Sequence, residues 1–132
     1  MTDTLHLESV PYPGRVPVVV FRLTGEINAN TCEQVQAEAE RSVAAGTHDL
    51  VLDLSRVTYI SSAGLRAIHI IFKMLSATGL AAESGAVPGS LFKSPHLKLL
   101  NPTPAVRKTL NMTGFDLFLE IHSDLNEAVA SF

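Results

Sequence analysis

The chain has little of what most binding and catalytic chemistries require. Cys32 is its single cysteine among 132 residues, so no internal disulfide can form, and a reducing compartment fits that usage. Charged residues make up 17 % of the chain, the formal net charge is −3, and Lys and Arg are nowhere clustered. Nucleic-acid phosphates call for a basic face, which argues against that partner class. The opening Met-Thr-Asp-Thr-Leu-His lacks the basic start and apolar run of a signal peptide. No apolar stretch approaches the length a membrane span needs. The expectation is a cytoplasmic protein with no membrane insertion.

Catalytic and metal-binding patterns are missing too. His6, His48, His69, His96 and His122 stand in no recognisable motif, and one cysteine with scattered histidines offers no metal-ligand spacing. Ser61-Ser62-Ala63-Gly64 is not a nucleophile elbow. Ser62 and His69 lie seven residues apart on one predicted helix, about 10 Å along its axis, too far for proton transfer. No glycine loop of the phosphate-cradling type occurs. These absences predict a protein that is not an enzyme and holds no metal or cofactor. A hydrophobic share of 46 % in a chain of this length suits one domain with its own core.

What is present is an alternation of strand and helix patterns. Leu5–Tyr12 reads as a short edge strand ending in a turn at Pro13 and Gly14. Val16–Thr24 is nearly continuous apolar and β-branched, which suits a central strand, and Gly25 breaks it. Thr31 and Gln34 have the spacing of a capping box for a helix carrying Cys32, Val35, Ala39 and Val43 on its apolar side, stopped at Gly46. Leu50, Leu52 and Leu54 give the next strand, with Asp53 as a strand-end residue that caps the following loop. Leu97–Leu100 is a strand, Thr103 and Pro104 start a helix with Val106, Leu110 and Phe115 inward, and Gly114 ends it. Leu117–Ile121 reads as a final strand. Asp124 and Glu127 make an acidic first turn for a last helix whose stripe is Leu125, Ala128, Val129 and Phe132. Alternation of this kind predicts an α/β fold with a partly parallel sheet of about five strands and about four helices.

The helix after Ser62 is more apolar than docking on a sheet requires. Arg66, His69, Lys73 and Ser76 fall on one stripe roughly 80° wide, and apolar side chains fill nearly everything else. Leu65, Ile68, Phe72 and Leu75 are the expected core face. Ile70 and Met74 lie beyond it, either covered by a neighbouring segment or forming an interface. Gly79 is the expected stop, and 80–96 reads as a long insertion of small residues, a flexible surface loop or a functional one. A serine at a helix start usually caps free amides. Two in a row leave one to spare, at a place where helix amides and dipole favour an anion by roughly 0.3–2 kcal/mol.

Asp53–Leu65, Asp-Leu-Ser-Arg-Val-Thr-Tyr-Ile-Ser-Ser-Ala-Gly-Leu, closely resembles the signature of STAS domains, the anti-sigma factor antagonist family. Phe21–Asn28 is similar to the family's second strand and Gly-Glu turn, Asn101–Arg107 to its join into the third helix, and Leu110–Phe115 to its Leu-x-x-Thr-Gly-hydrophobic close. The resemblance covers nearly all of 1–132 apart from the insertion. It implies a single STAS domain with a small mixed sheet and helices mainly on one face. It also implies a partner, an anti-sigma factor that is a serine protein kinase, released from its sigma factor when bound. Phosphorylation of the motif serine ends the contact and a phosphatase restores it. By position that serine is Ser62, with Ser61 the alternative. The implied partner-binding residues are Asn28, Asn30, Thr31, Ser61, Ser62, Ala63, Gly64, Arg66, Ile70 and Met74. The chain departs from the family pattern at Ser61, where many members carry an acid, and at Asn28, where Asp is frequent. Other readings of the same module are a scaffold or transport-associated STAS domain with a constitutive partner.

Overall fold

Two eleven-residue strands, β2 (Pro17–Ile27) and β3 (Leu50–Ile60), run parallel and form the spine of the sheet. The computed structural model describes residues 5–13, 17–77, 96–117 and 119–132. The turn at Gly14, the helix stop at Gly79 and residues 80–95 of the expected insertion lie outside the described residues. β1 (Leu5–Pro13) is an edge strand antiparallel to β2, while β4 (Leu97–Leu100) and β5 (Glu120–His122) add in parallel on the far side of β3. The spatial order is β1-β2-β3-β4-β5, a mixed sheet.

Three helices pack on one face: α1 (Cys32–Ala44), α2 (Ser62–Ala77) and α3 (Pro104–Thr113). Val35 and Ala39 of α1, Leu65, Ile68, Ile71 and Leu75 of α2, and Val106 and Leu110 of α3 join Phe21, Leu23, Leu50, Leu52 and Leu99 in one core. Each large aliphatic side chain buried there contributes about 1.5–3 kcal/mol. The short α4 (Leu125–Ala130) covers the opposite face, with Ala128 and Val129 against Val18, Val20, Val51 and Leu100. The fold is the α/β arrangement expected, with helices mainly on one side.

Several local expectations are corrected. β2 does not end at Gly25; it bends there, with φ +123°, and continues to Ile27. Asp53 does not end a strand. It sits inside β3, half-buried, and its Oδ1 accepts from the amide (3.0 Å) and hydroxyl (2.7 Å) of Ser55. The β2–β3 register slips between Arg22 and Thr24 and again between Gly25 and Glu26, each time adding one residue to β3. Leu54, Val57 and Ile60, three apart, therefore all face the core. The last strand is shorter than predicted, because a 3-10 turn takes Phe115–Leu117 and pairing starts at Glu120. In α2 the core stripe is Leu65, Ile68, Ile71 and Leu75, with Phe72 only half-buried and stacked on His69. Packing against α1 as well as the sheet rotates the buried stripe towards Ala67 and Ile71.

One polar group is deep in the second face. Lys98 is 2 % exposed and its ammonium donates to Glu120 Oε1 (3.1 Å) and to the Ser131 carbonyl (3.3 Å), 4.8 Å from the centre of the Phe132 ring. His122 Nε2 shares the same carboxylate oxygen at 2.8 Å. Burial by itself would raise the Glu120 pKa. The hydrogen bonds from His122 and Lys98, with their charges, outweigh it and hold the carboxyl below its usual value. A carboxylate depressed in the folded state stabilises fully above its unfolded pKa and loses that contribution as pH falls through the folded value. Glu120→Gln is therefore expected to flatten the acid limb of a melting-temperature-against-pH profile. An unchanged slope below the ordinary carboxylate range would contradict the assignment.

Candidate serine-loop site

The site is built where β2 and β3 end side by side, with Ile27 opposite Ile60. The Ile27 carbonyl, past the last ladder bond, accepts from the amide of Ser61 at 2.9 Å. That bond sets the start of α2. The Ser61 carbonyl accepts from Leu65 (2.9 Å) and its Oγ from the Gly64 amide (3.2 Å), so Ser61 is the cap. Ser62 is the next residue and is exposed. The pair thus divides its duties: one hydroxyl closes the helix and the other faces solvent.

Gly64 is buried in the elbow. A Cβ there would stand 2.5 Å from the Ile27 carbonyl oxygen, 2.8 Å from Ile60 Cγ1 and 2.9 Å from Ile27 Cγ2. Only glycine lets the first turn of α2 come this close to the strand ends.

The neighbouring turn starts at Asn28, the residue after β2. Asn28 Oδ1 accepts from the amides of Asn30 (2.9 Å) and Thr31 (3.2 Å), and its carbonyl accepts from Cys32 (2.8 Å). In return Thr31 Oγ1 accepts from the Asn28 amide (2.9 Å) and donates to the Glu26 carbonyl (2.8 Å). The reciprocal cap is thus Asn28 with Thr31, three residues before the predicted Thr31–Gln34 box. Thr31 offers no cap to the helix, and Gln34 reaches away to donate to the Leu5 carbonyl at 2.9 Å. Asn28 Nδ2 also donates to Glu26 Oε1 at 3.3 Å. A neutral amide does the work of an acid here.

The ten residues singled out from the sequence fall in two groups. Asn30, Ser62 and Arg66 are exposed, and Asn28, Ser61, Ala63, Ile70 and Met74 are half-buried along the outer side of α2 and the two turns. Thr31 and Gly64 are buried and shape the surface from beneath. Met74 packs partly against the core, so the apolar excess of α2 is only partly available. The structure adds Tyr59, 51 % exposed, paired with Glu26 just before the serine loop. It lies on the face opposite the core-facing Ile60. Among the described residues no group of three metal-ligating side chains is gathered, and no helix is long and apolar enough to cross a membrane.

This geometry coincides with a known family. The profile of the STAS domain matches residues 9–82. The chain belongs to the STAS domain family. Over 115 residues, 87 % of this chain and 86 % of the other, it is 33 % identical to a protein of Bordetella bronchiseptica that carries the name of an anti-sigma factor antagonist, BtrV. Its fold is similar to the crystal structure of an anti-sigma factor antagonist from Mycobacterium paratuberculosis, with TM-score 0.74 and 23 % identity over 97 % of this chain and 93 % of that one. It is also similar to the phosphorylated form of the Bacillus cell fate determinant SpoIIAA, with TM-score 0.62 and 23 % identity over 96 % of each chain. The matched residues include the Ser61–Gly64 elbow.

Three substitutions test the elbow. Ser61→Ala is expected to cost about 0.5–2 kcal/mol in chemical denaturation. Ser62→Ala, at an exposed position, is expected to stay within about 0.5 kcal/mol. Gly64→Ala is expected to cost about 1–3 kcal/mol through overpacking against Ile27 and Ile60. Equal losses for the two serine variants would sink the capping assignment.

Proposed function

We propose that this STAS domain is an anti-sigma factor antagonist acting in the cytoplasm, whose binding to a serine-kinase type anti-sigma factor is switched by phosphate on Ser62. Binding frees the sigma factor, and a phosphatase resets the switch. The whole of 1–132 acts as one domain, and its role is protein binding rather than catalysis. The docking surface in this reading is the 28–31 turn, the serine loop and the outer side of α2.

The observation that carries the reading is the contrast between the two serines. Ser61 Oγ is engaged at 3.2 Å by the Gly64 amide, whereas Ser62 is exposed at the first position of α2. A phosphate on Ser62 leaves the cap in place. It adds about −1.5 to −2 charge at neutral pH. Helix amides and dipole favour that charge while the protein is free. On docking the same charge must be stripped of water, so the modification opposes the complex without opposing the fold. The similarity in fold to a protein solved in a phosphorylated form supports a phosphate-bearing state of this domain.

Protein isolated from its native cell is expected to carry the mass of one phosphate, lost in Ser62→Ala. Ser62→Asp is expected to weaken partner affinity roughly tenfold or more, about 1.4 kcal/mol, while the melting temperature moves by no more than about 2 °C. Unaltered affinity of the Asp variant for the anti-sigma factor would refute the switch. Protein that takes up no phosphate from the kinase and ATP, or that carries phosphate and still holds its partner, would instead favour a constitutive STAS interaction module.

A further inference from the structure

We infer that the outer face of α2 is complementary to an acidic, partly apolar surface, so that the partner of this domain presents carboxylates to Arg66 and Lys73. The inference rests on the proposed reading of α2 as part of the docking surface, and it names the chemistry of what docks there.

Three observations carry it. From Ser62 to Ala77, α2 contains no acidic residue at all. Arg66 and Lys73 are both exposed and lie seven residues apart, hence within about 20° of one another around the helix and about 10 Å apart along it. The ion pairs of the described residues join Arg41 with Glu38, His96 with Asp49, and Lys98 and His122 with Glu120. Neither Arg66 nor Lys73 is among them. The nearest carboxylate-bearing element, α1, presents Glu33, Glu38 and Glu40, and none lies within 4 Å of either cation.

The surroundings give this cationic stripe a contact surface. Ile70 and Met74, half-buried, border it on one side, and exposed His69, its ring stacked on Phe72 with centroids 6.0 Å apart, borders it on the other. An apolar strip beside two cations that have no ion pair among the described residues is matched by an apolar strip beside carboxylates. In the neighbouring turns Asn28 and Ser61 are neutral, and the Glu26 carboxylate is engaged by Asn28 Nδ2 at 3.3 Å. The stripe also explains how one phosphate reaches the whole face. Ser62 lies one helical turn before Arg66, the spacing at which side chains on a helix meet. A phosphate there engages the Arg66 guanidinium and takes from the partner the cation it would use.

The test uses two synthetic helical peptides that share a leucine face and carry either Glu or Lys along its border, titrated into the isotope-labelled full chain. The Glu peptide is expected to shift the amides of Arg66, Ile70 and Lys73, with affinity falling as salt is raised. Arg66→Glu with Lys73→Glu is expected to abolish the shifts, Arg66→Ala with Lys73→Ala to weaken binding several-fold, and Ser62→Asp to weaken it several-fold in the wild-type background. Circular dichroism of each variant verifies the fold. Equal shifts from the Lys peptide, no shifts on α2 from the Glu peptide, or shifts on α2 produced by anionic phosphatidylglycerol vesicles but not by the peptide each overturn the inference. Should the charge variants bind the Glu peptide like the wild type while Ser62→Asp still releases the anti-sigma factor, the acidic-partner inference fails and the switch stands. Should the Glu peptide bind at α2 while Ser62→Asp leaves the anti-sigma factor bound, the switch fails and the complementarity stands.

Discussion

The carbonyl oxygen of Ile27 is the point on which the serine site depends. It lies at the end of β2, where the ladder with β3 has no further partner to offer, and it takes the amide of Ser61 instead. The same oxygen limits what can stand at position 64. One backbone atom thus fixes where the serine loop leaves the sheet and how closely α2 approaches. It also ties the loop to the 28–31 turn, because the residue after Ile27 begins that turn's reciprocal cap. A lost hydrogen bond here would leave a buried carbonyl unpaired, at about 1–3 kcal/mol, and would let the two turns move apart.

Around that point the polar groups are satisfied locally, which frees the outward-facing ones. Thr31, 3 % exposed, spends its hydroxyl on the Asn28 amide and the Glu26 carbonyl. Ser61 spends its oxygen on Gly64. Thr103 ties α3 to the far edge of β3, its hydroxyl donating to the Val57 carbonyl at 2.8 Å, while its accepting bond from Val106 is long at 3.5 Å. Val57 sits between the two β3 bulges, beyond the last β4 partner at Asp53, so a side chain replaces a strand as its partner. The bulged half of β3 is therefore held by helix starts on both sides, and the site inherits the rigidity of the sheet.

Features that rest on local chemistry were legible in the residues. Thr103 with Pro104, the left-handed glycines Gly46 and Gly114 and the Leu97–Leu100 strand all stand where their types and spacing predict, while Asp124, expected in the first turn of the last helix, is its cap. Features that rest on distant partners were not. The continuation of β3 past Ser55 breaks two-residue alternation at Arg56 and Val57, because each bulge shifts the pleat by one. The displaced cap at Asn28 and Thr31 depends on the Glu26 carbonyl being held out by the sheet. The choice of Ile71 over Phe72 depends on α1 lying beside α2. At the site, the serine pair was visible as one cap and one spare hydroxyl. Which was which followed only from where Ile27 places the Ser61 amide.

The neutral residues at 28 and 61 change what a single phosphate accomplishes. A carboxylate beside the modified serine would make the loop negative in both states, and phosphorylation would only add to it. Here Asn28 and Ser61 supply the needed acceptors without charge, and the only full charge on the first two turns of α2 is Arg66. About −1.5 to −2 of added charge at Ser62 then outweighs the single charge of Arg66 on these turns of the helix. A surface matched to one sign is mismatched to the other, and like-charge juxtaposition across an interface costs several kcal/mol. Under the proposed reading, the absence of the usual acids does not weaken the switch. It makes the switch one of sign.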